Sequence, residues 1–482
     1  MNEIPRVEEE LRGISLGDER LNRRAISMAR RAVEGPGKSF PKMVTDPSEL
    51  EAFYRFFQND QVQPKAILEP HRQATLARCN ELAVVRVAHD TTGFTFHGER
   101  LGLGKVNRGR GFYWHASLAI SGDEPRAPLG VVAAAAFTVQ EVKTEPVKVR
   151  WKNGQCVITP KAPPMPEVPK EKKLSRRWFE AVQEVEALHS SARVIHVMDR
   201  EADDFTLMAQ MQSAGIHFVV RVKGTRRLGE DLSYNIDERL QCAPTRLVRT
   251  VPLGRRKVSD VMPQMRKYRV HQPREERTAT LHVRATRITL PRPPSAVTEV
   301  SSLTVNVVQV FEPQPPIGEQ PVEWTLLTSE PIGTIEDIEA VVDHYRARWR
   351  IEELFKALKS GCGIERRQLT DFDGLLRALS FFAMIAWRLL AMRVLARADS
   401  TIPATSLFDA QDIAVVRFLA ERRKHRLSSQ PTMSEVMLAF AAIGGHLKRN
   451  GEPGWMTIGR GYDDFCLARE VWTSARETCD QS

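Results

Sequence analysis

Three apolar runs, LAVVRVAHD (82–90), FYWHASLAI (112–120) and LGVVAAAAFTV (129–139), constrain this chain more than any other feature. Each has the length of a strand and is set off from the next by Gly, Asp and Pro, so three successive strands are the simplest reading. Buried strands need neighbours to satisfy their backbone donors and acceptors, which commits the chain to a sheet. VIHVMD (194–199) reads as a fourth strand, DFTLMAQMQSAG (204–215) as a helix ended by glycine, and HFVVRVK (217–223) as a fifth strand. Strands alternating with helices make the fold class mixed α/β.

On either side the texture changes. In the first seventy residues Leu21, Ala25, Met28, Ala29 and Ala32 recur at helical spacing, leaving Arg20, Arg23, Arg24, Arg30 and Arg31 largely on the remaining surface of a small basic helical module. Prolines 160, 163, 164, 166 and 169 require a loop, because proline donates no ladder hydrogen bond and breaks helices. Ser175 is then read as the cap of a helix carrying Trp178, Val182 and Val185. From about 224 to 332, segments such as TATLHVRATRITL and LTVNVVQVF, with prolines near 291–294 and 313–316, suggest a β-domain inserted into the α/β domain. A long helix is expected from about Ile335 to Ser360, then the apolar helix LLRALSFFAMIAWRLLAMRVLARA, then a helical C-terminal region. Domains are therefore expected at 1–70, 71–395 and 396–482.

Charge narrows the partner. The chain carries 70 Lys and Arg against 60 Asp and Glu, a net +10, which suggests a polyanion. Between Thr245 and Arg292 alone there are thirteen basic residues and three acids. The six cysteines are scattered singly, without the paired spacing that holds zinc or staples a small fold. The charge-free stretch Ala127–Gln140 is interrupted by Pro128 and Gly130 and falls short of the ~18 residues of a membrane helix. MNEIPRVEEELRG lacks the basic start and apolar core of a secretory signal. No membrane partner and a cytoplasmic location, nucleoid-associated when bound to DNA, are the expectations.

Two aspartates are expected at the C-terminal ends of apolar strands, Asp90 in RVAHDTTG and Asp199 in VIHVMDREADD. Either alone reads as a turn or cap residue. Facing one another, two ionised carboxylates need a cation between them, and oxygen donors suit a hard metal. A third element is DHYRARWRIEELFKALKSGCG (343–363). Taking Tyr345 as zero and about 100° per residue, Arg348 falls at about −60°, Glu352 at about −20° and Lys359 at about −40°, while Glu353 falls near +80°. Glu352 thus shares a stripe with the tyrosine and both cations. Such a stripe is commonly a solvated charged face, but a carboxylate flanked by phosphate-holding cations also suits phosphoryl transfer.

These residues carry a resemblance. Asp90 in DTT, Asp199 in DREAD, and Y-x2-R-x3-E-x6-K formed by Tyr345, Arg348, Glu352 and Lys359 resemble the Tn-five-like transposases of the IS-four insertion-sequence family. LGDERLNRRA, AFYRFF, FVVRVK, WTLLTSEP and GGHLKRNGEPGW extend the likeness over most of the chain. The resemblance implies a ribonuclease-H-like catalytic core with an inserted β-domain, and helical N- and C-terminal regions. It implies a DDE triad, Asp90, Asp199 and Glu352, holding Mg²⁺, with Mn²⁺ able to substitute and two ions per site. It implies DNA contacts from Tyr345, Arg348, Lys359, Arg221 and Lys223, and stacking of Trp324 on a flipped base. The bland reading of Trp324 is a core residue. Arg200 pairs with a phosphate or with Glu201, and Arg23 and Arg24 belong to the helical module expected to bind transposon ends. The expected function is cut-and-paste transposition on double-stranded DNA by a homodimer held through the C-terminal region, where MLAFAAIGGHL (437–447) offers an apolar stripe. The rivals are a catalytically silent DNA-binding regulator, a metal-dependent DNA nuclease, and a carboxylate-pair hydrolase of the glycosidase kind.

Overall fold

The computed structural model describes residues 4–139, 149–152, 155–158, 174–228, 233–255, 274–398, 401–447 and 453–480. They divide into two units: Met1–Lys173, Ala181–Arg193 and Trp349–Ser482 form the first, Leu174–Glu180 and Val194–Arg348 the second. The proline run 160–169 lies outside the described residues, as do Arg256, Lys257, Arg266, Lys267 and Arg269 of the basic segment.

The first unit begins with α1 (Val7–Glu10), α2 (Glu19–Glu34), α3 (Phe40–Met43), α4 (Pro47–Gln58) and α5 (Pro64–Asn80). Asp18 starts α2 by accepting the Arg20 N–H at 2.7 Å, and Ala25, Met28, Ala29 and Ala32 are its buried positions, as their spacing requires. Glu10 of α1 is buried, which demands partners. Its carboxylate accepts two hydrogen bonds from the Arg78 guanidinium at 2.9 and 3.0 Å and a short one from His71 Nδ1. His71 Nε2 accepts the Val131 N–H at 2.9 Å, so His71 is neutral with its proton on Nδ1. Arg78 also lies 4.4 Å over the Trp387 ring. Burial works to raise the Glu10 pKa, but His71 and Arg78 outweigh it and hold the carboxyl at about 2.

Strands β1 (Val84–Phe96), β2 (Gly104–Val106), β3 (Gly109–Ser121) and β4 (Pro128–Phe137) follow, with β3 pairing antiparallel to the other three. The expected end of β1 at Asp90 is corrected: the strand continues to Phe96, paired to Arg110. The continuation is alternating Thr and Phe, which suits a pleated half-buried surface, and Phe94 and Phe96 are buried on the face that Asp90 shares. Gly93 lies in this continuation because a Cβ there would meet the Val106 side chain at 2.5 Å. β5 (Val149–Lys152) and β6 (Gln155–Ile158) form a hairpin, and α6 runs Leu174–Glu186. Ser175 is thus inside α6 rather than its cap.

In the second unit β7 (Arg193–Met198), α7 (Phe205–Ser213) and β8 (His217–Arg221) form a parallel β–α–β step. After β9 (Arg227–Leu228), β10 (Tyr234–Asn235) and α8 (Ile236–Gln241) come β11 (Thr245–Leu253), β12 (Arg277–Pro291), β13 (Ser302–Phe311) and β14 (Glu323–Thr328), then α9 (Ile335–Ala347). β11 to β14 pair antiparallel in sequence order and β14 pairs with β8, so the inserted strands extend the sheet of this unit. Several insert arginines serve the fold. Arg249 pairs with Glu339 at 2.8 Å and Asp343 at 3.2 Å, Arg277 with Glu312 and Glu319, and Arg284 lies 4.5 Å over Phe311.

The single helix expected over 335–360 is also corrected. α9 ends at Ala347, α10 spans Trp349–Lys356, and Ala357–Gly361 is a π-turn closed by the Cys362 N–H on the Ala357 carbonyl at 2.7 Å. α11 (Phe372–Ala398) is long and apolar enough to cross a membrane by length and composition, but 83% of its apolar window is buried in the protein. α12 (Ala410–Glu421), α13 (Met433–Ile443) and α14 (Trp455–Asp480) complete the unit. The α13 stripe expected to meet a partner packs at home instead: Val436, Ala439, Phe440 and Ile443 join a core with Val416 and Phe465. Leu438 and Leu447 of that stripe stay exposed, and Phe418 on α12 with Leu467, Val471 and Trp472 on α14 are exposed around a groove of about 1020 Å³.

Candidate active site

The expected residues fall into two sets, one in each unit. In the first unit, α10 lays Ile351, Leu354 and Phe355 against β1 and β3, with Phe355 6.1 Å from the Trp114 ring. Glu352 and Glu353 lie side by side, and the structure separates their roles. Arg350 donates to Glu353 at 2.8 Å and to the Pro125 carbonyl at 3.0 Å, so Arg350 anchors the loop between β3 and β4 with Glu353 as its counter-charge. Glu352 is half-buried in the first turn of α10.

Lys359 sits in the π-turn, a distortion that recurs at functional sites because it re-aims side chains within a helix. Its ammonium lies 5.3 Å from the Phe94 ring. Burial pulls its pKa down while Glu365 opposes the shift. Glu365 is held by the N–H of Thr95 at 2.8 Å and its hydroxyl at 3.1 Å. Asp90 lies on the same face of β1 as Phe94, and its carboxylate accepts the Thr91 N–H at 2.8 Å. Asp90 and Lys359 are therefore tied to one strand face, and Glu352 to the helix packed on it.

In the second unit Asp199 follows the last residue of β7 and caps a short 3₁₀ turn, accepting the Glu201 N–H at 2.8 Å. The other acids of DREADD have structural work: Asp203 pairs with Arg226 and accepts the Lys223 N–H at 2.7 Å, and Asp204 caps α7 through the Leu207 N–H at 3.0 Å. Arg200 is exposed and makes no ion pair among the described residues, so Glu201 is not its partner. Glu201 is the residue that sequence reasoning passed over. Burial and the Asp199 charge raise its pKa, against Lys223. Its position two residues after Asp199 was the available signal.

A second cluster forms on β8, β14 and α9. The Trp324 ring stands edge-on to Tyr345 at 5.5 Å, and the Arg348 guanidinium lies 5.7 Å from the same Tyr345 ring. Arg221 is in register with Leu326 and donates to the Glu323 carbonyl at 3.2 Å, while the Val222 N–H reaches the Thr325 carbonyl at 2.9 Å. That register brings Lys223 beside Trp324. The structure thus gathers Arg221, Lys223, Trp324, Tyr345 and Arg348. Trp324 is half-buried, with its ring edge-on to Tyr345.

Arg23 and Arg24 lie together on α2, Arg23 exposed at 72% and only 3.9 Å from Glu19. Among the described residues no group of three or more His, Cys, Asp or Glu is close enough to hold a metal. Three carboxylates are nevertheless the donor chemistry that Mg²⁺ takes, and Mg²⁺ is commonly held by one or two carboxylates plus substrate phosphates rather than by an all-protein cage.

Comparisons with known proteins complete the description. Residues 6–62 match the family described as Transposase DNA-binding, and residues 181–388 match the family described as Transposase DDE domain. The first span takes in Arg23 and Arg24, and the second Asp199, Arg221, Lys223, Trp324, Tyr345, Arg348, Glu352 and Lys359, while Asp90 precedes it. Among solved structures, a piggyBac transposase synaptic complex with hairpin DNA is similar at a TM-score of 0.32 and 11% identity, covering 81% of this chain and 77% of that one. A likeness at that level carries no argument.

Proposed function

We propose that this chain, which carries a transposase DNA-binding domain and a transposase DDE domain, is a cut-and-paste DNA transposase. The observation that carries the reading is the DDE-domain match over 181–388, because it takes in two members of the expected triad together with the cluster of Arg221, Lys223, Trp324, Tyr345 and Arg348. The spacing of Tyr345, Arg348, Glu352 and Lys359 favours the Tn-five-like group of the IS-four family.

In this reading Asp90, Asp199 and Glu352 are the catalytic carboxylates and would hold Mg²⁺, or Mn²⁺ in its place, with DNA phosphates completing the coordination. A bound pair of such ions supplies activation of the attacking oxygen and stabilisation of the leaving one. Each step is an in-line displacement at phosphorus. Water attacks at the transposon end and frees a 3′-hydroxyl; that hydroxyl attacks the opposite strand and closes a hairpin; water reopens it; the 3′-ends then join target DNA. Arg221, Lys223, Arg348 and Lys359 hold backbone phosphates through the sequence, as guanidinium and ammonium groups do. Trp324, held edge-on by Tyr345, offers a face to an extruded base. Arg23 and Arg24 contact the transposon end.

The active species is a homodimer bridging two ends, with the exposed apolar groove of α12 and α14 as the surface for a second copy within 396–482. Nucleoid-associated, cytoplasmic action follows from a DNA substrate. The direct test is incubation with the inverted repeats flanking the gene, with and without Mg²⁺. End cleavage that requires the ion supports the reading, and undiminished nicking in EDTA overturns the triad.

A further inference from the structure

The basic insert holds more charge than the fold uses. Arg249, Arg277 and Arg284 are spent on acids and aromatic rings. Arg239 on α8 and Arg287 on β12 are different: both are exposed and neither makes an ion pair among the described residues. They line one open groove of about 720 Å³ with Tyr234, Cys242, Thr289 and Thr304.

The groove is built, not incidental. β12 alternates, so Arg287 and Thr289 face outward while Ile288 and Leu290 are buried. Thr289 is in register with Thr304 of β13, and their hydroxyls are 3.1 Å apart. On the opposite wall Asn235 and Glu238 form a capping box that fixes α8 and so places Arg239. Glu238 is the acid lining the groove among the described residues, and its carboxylate is engaged on the Asn235 N–H at 2.8 Å. Asp237 beside it accepts the Thr225 hydroxyl at 2.7 Å. What faces outward is two arginines, two threonine hydroxyls, a tyrosine that is 41% exposed and the capping carboxylate of Glu238.

We propose that this groove is a second DNA surface, contacting duplex backbone phosphates without reading sequence. Guanidinium groups and threonine and tyrosine hydroxyls are partners for backbone phosphates. The inference rests on the transposase reading, because a protein that joins its DNA to new sites must hold duplex of arbitrary sequence. The contact belongs to Arg239 and Arg287, apart from the residues around Trp324.

The test uses the full-length protein and two duplexes of equal length, one ending in the inverted repeat and one of unrelated sequence. Replacing both arginines (Arg239→Gln with Arg287→Gln) removes two phosphate contacts. The plot of log affinity against log salt for the unrelated duplex should lose about two units of slope, at ~0.9 per contact. Arg→Lys at both positions should restore most of it. Cys242 is a built-in reporter: it is exposed in the groove, whereas burial pushes the Cys79, Cys362 and Cys466 thiols up to about 12. Its alkylation by iodoacetamide, followed by peptide mass mapping, should slow when the unrelated duplex is bound, and this arm needs no variant. Wild-type protein that binds no duplex at all would overturn both readings. Intact end cleavage with an unchanged slope and unprotected Cys242 would overturn this one alone.

Discussion

Arginine and aromatic residues are used in two opposite ways in this chain. Around Glu10, the Arg78 guanidinium is fully engaged: two bonds to a buried carboxylate, one to the Leu129 carbonyl at 2.7 Å, and the Trp387 ring against its face. Around Trp324, Arg348 lies 5.7 Å from the Tyr345 ring and that ring meets the tryptophan edge-on. The first arrangement removes charge from water and must satisfy it completely, so it stiffens the protein. The second keeps Tyr345 and Arg348 buried and the tryptophan only half-buried. Similar residue types therefore close a buried ion-pair cluster in one place and border a half-buried ring in the other.

The sharpest separation comes from the carboxylates. Asp90→Asn, Asp199→Asn or Glu352→Gln should each lower end cleavage by at least ~10³-fold, the loss of about 4 kcal/mol of transition-state stabilisation, while gel shifts show end binding nearly unchanged. Equal loss of binding and cleavage would make these residues part of the scaffold.

Next comes Glu10→Gln, which leaves Arg78 without its counter-charge and should cost about 3 kcal/mol of stability, read by denaturant titration, with little change in DNA affinity of the folded protein. The sign of the pH effect follows from the depressed pKa. The contribution of Glu10 is present above its ordinary 4.5 and is lost as pH falls toward about 2. The variant should lack that part of the acid transition.

Trp324→Ala should behave in the opposite way. A lost base stack is worth ~1–3 kcal/mol, so hairpin formation should slow more than the first nick, with the thermal midpoint displaced by only a few degrees. Parallel loss of both steps and of stability would return Trp324 to the structural class.

The smallest effect belongs to Arg23, whose contact with Glu19 is long and exposed at 3.9 Å. Glu19→Ala should change stability by less than ~0.5 kcal/mol, whereas Arg23→Ala should remove about 0.9 from the salt slope of end binding.

Much of this was legible beforehand. The strands at 82–139 and the buried stripe of α2 rest on local patterns, whereas Trp324 was picked out by the family resemblance alone. Asp199 was placed correctly because an apolar run ending in DREADD can only turn. Asp90 was not, because its strand continues in Thr and Phe, which are polar or bulky by eye yet favoured in a pleated sheet paired to β3. The α13 stripe was legible as apolar, but its destination was not: a stripe specifies burial and leaves open against what.

The sequence by itself determined which residues are candidates for chemistry and how they are spaced, since period and motif are properties of neighbouring positions. Tertiary structure alone decided the rest. Ending α9 at Ala347 and closing a π-turn under Lys359 undid the angular arithmetic that treated residues 345–359 as one regular helix. Docking Arg350 onto the Pro125 carbonyl of the β3–β4 loop fixed the helical partner of Glu353. Matching Arg249 and Arg277 to distant acids, and leaving Arg239 and Arg287 unmatched, divided a basic segment into scaffold and surface. An ion pair depends on where two chain segments meet in space, and no local pattern in the sequence encodes that meeting.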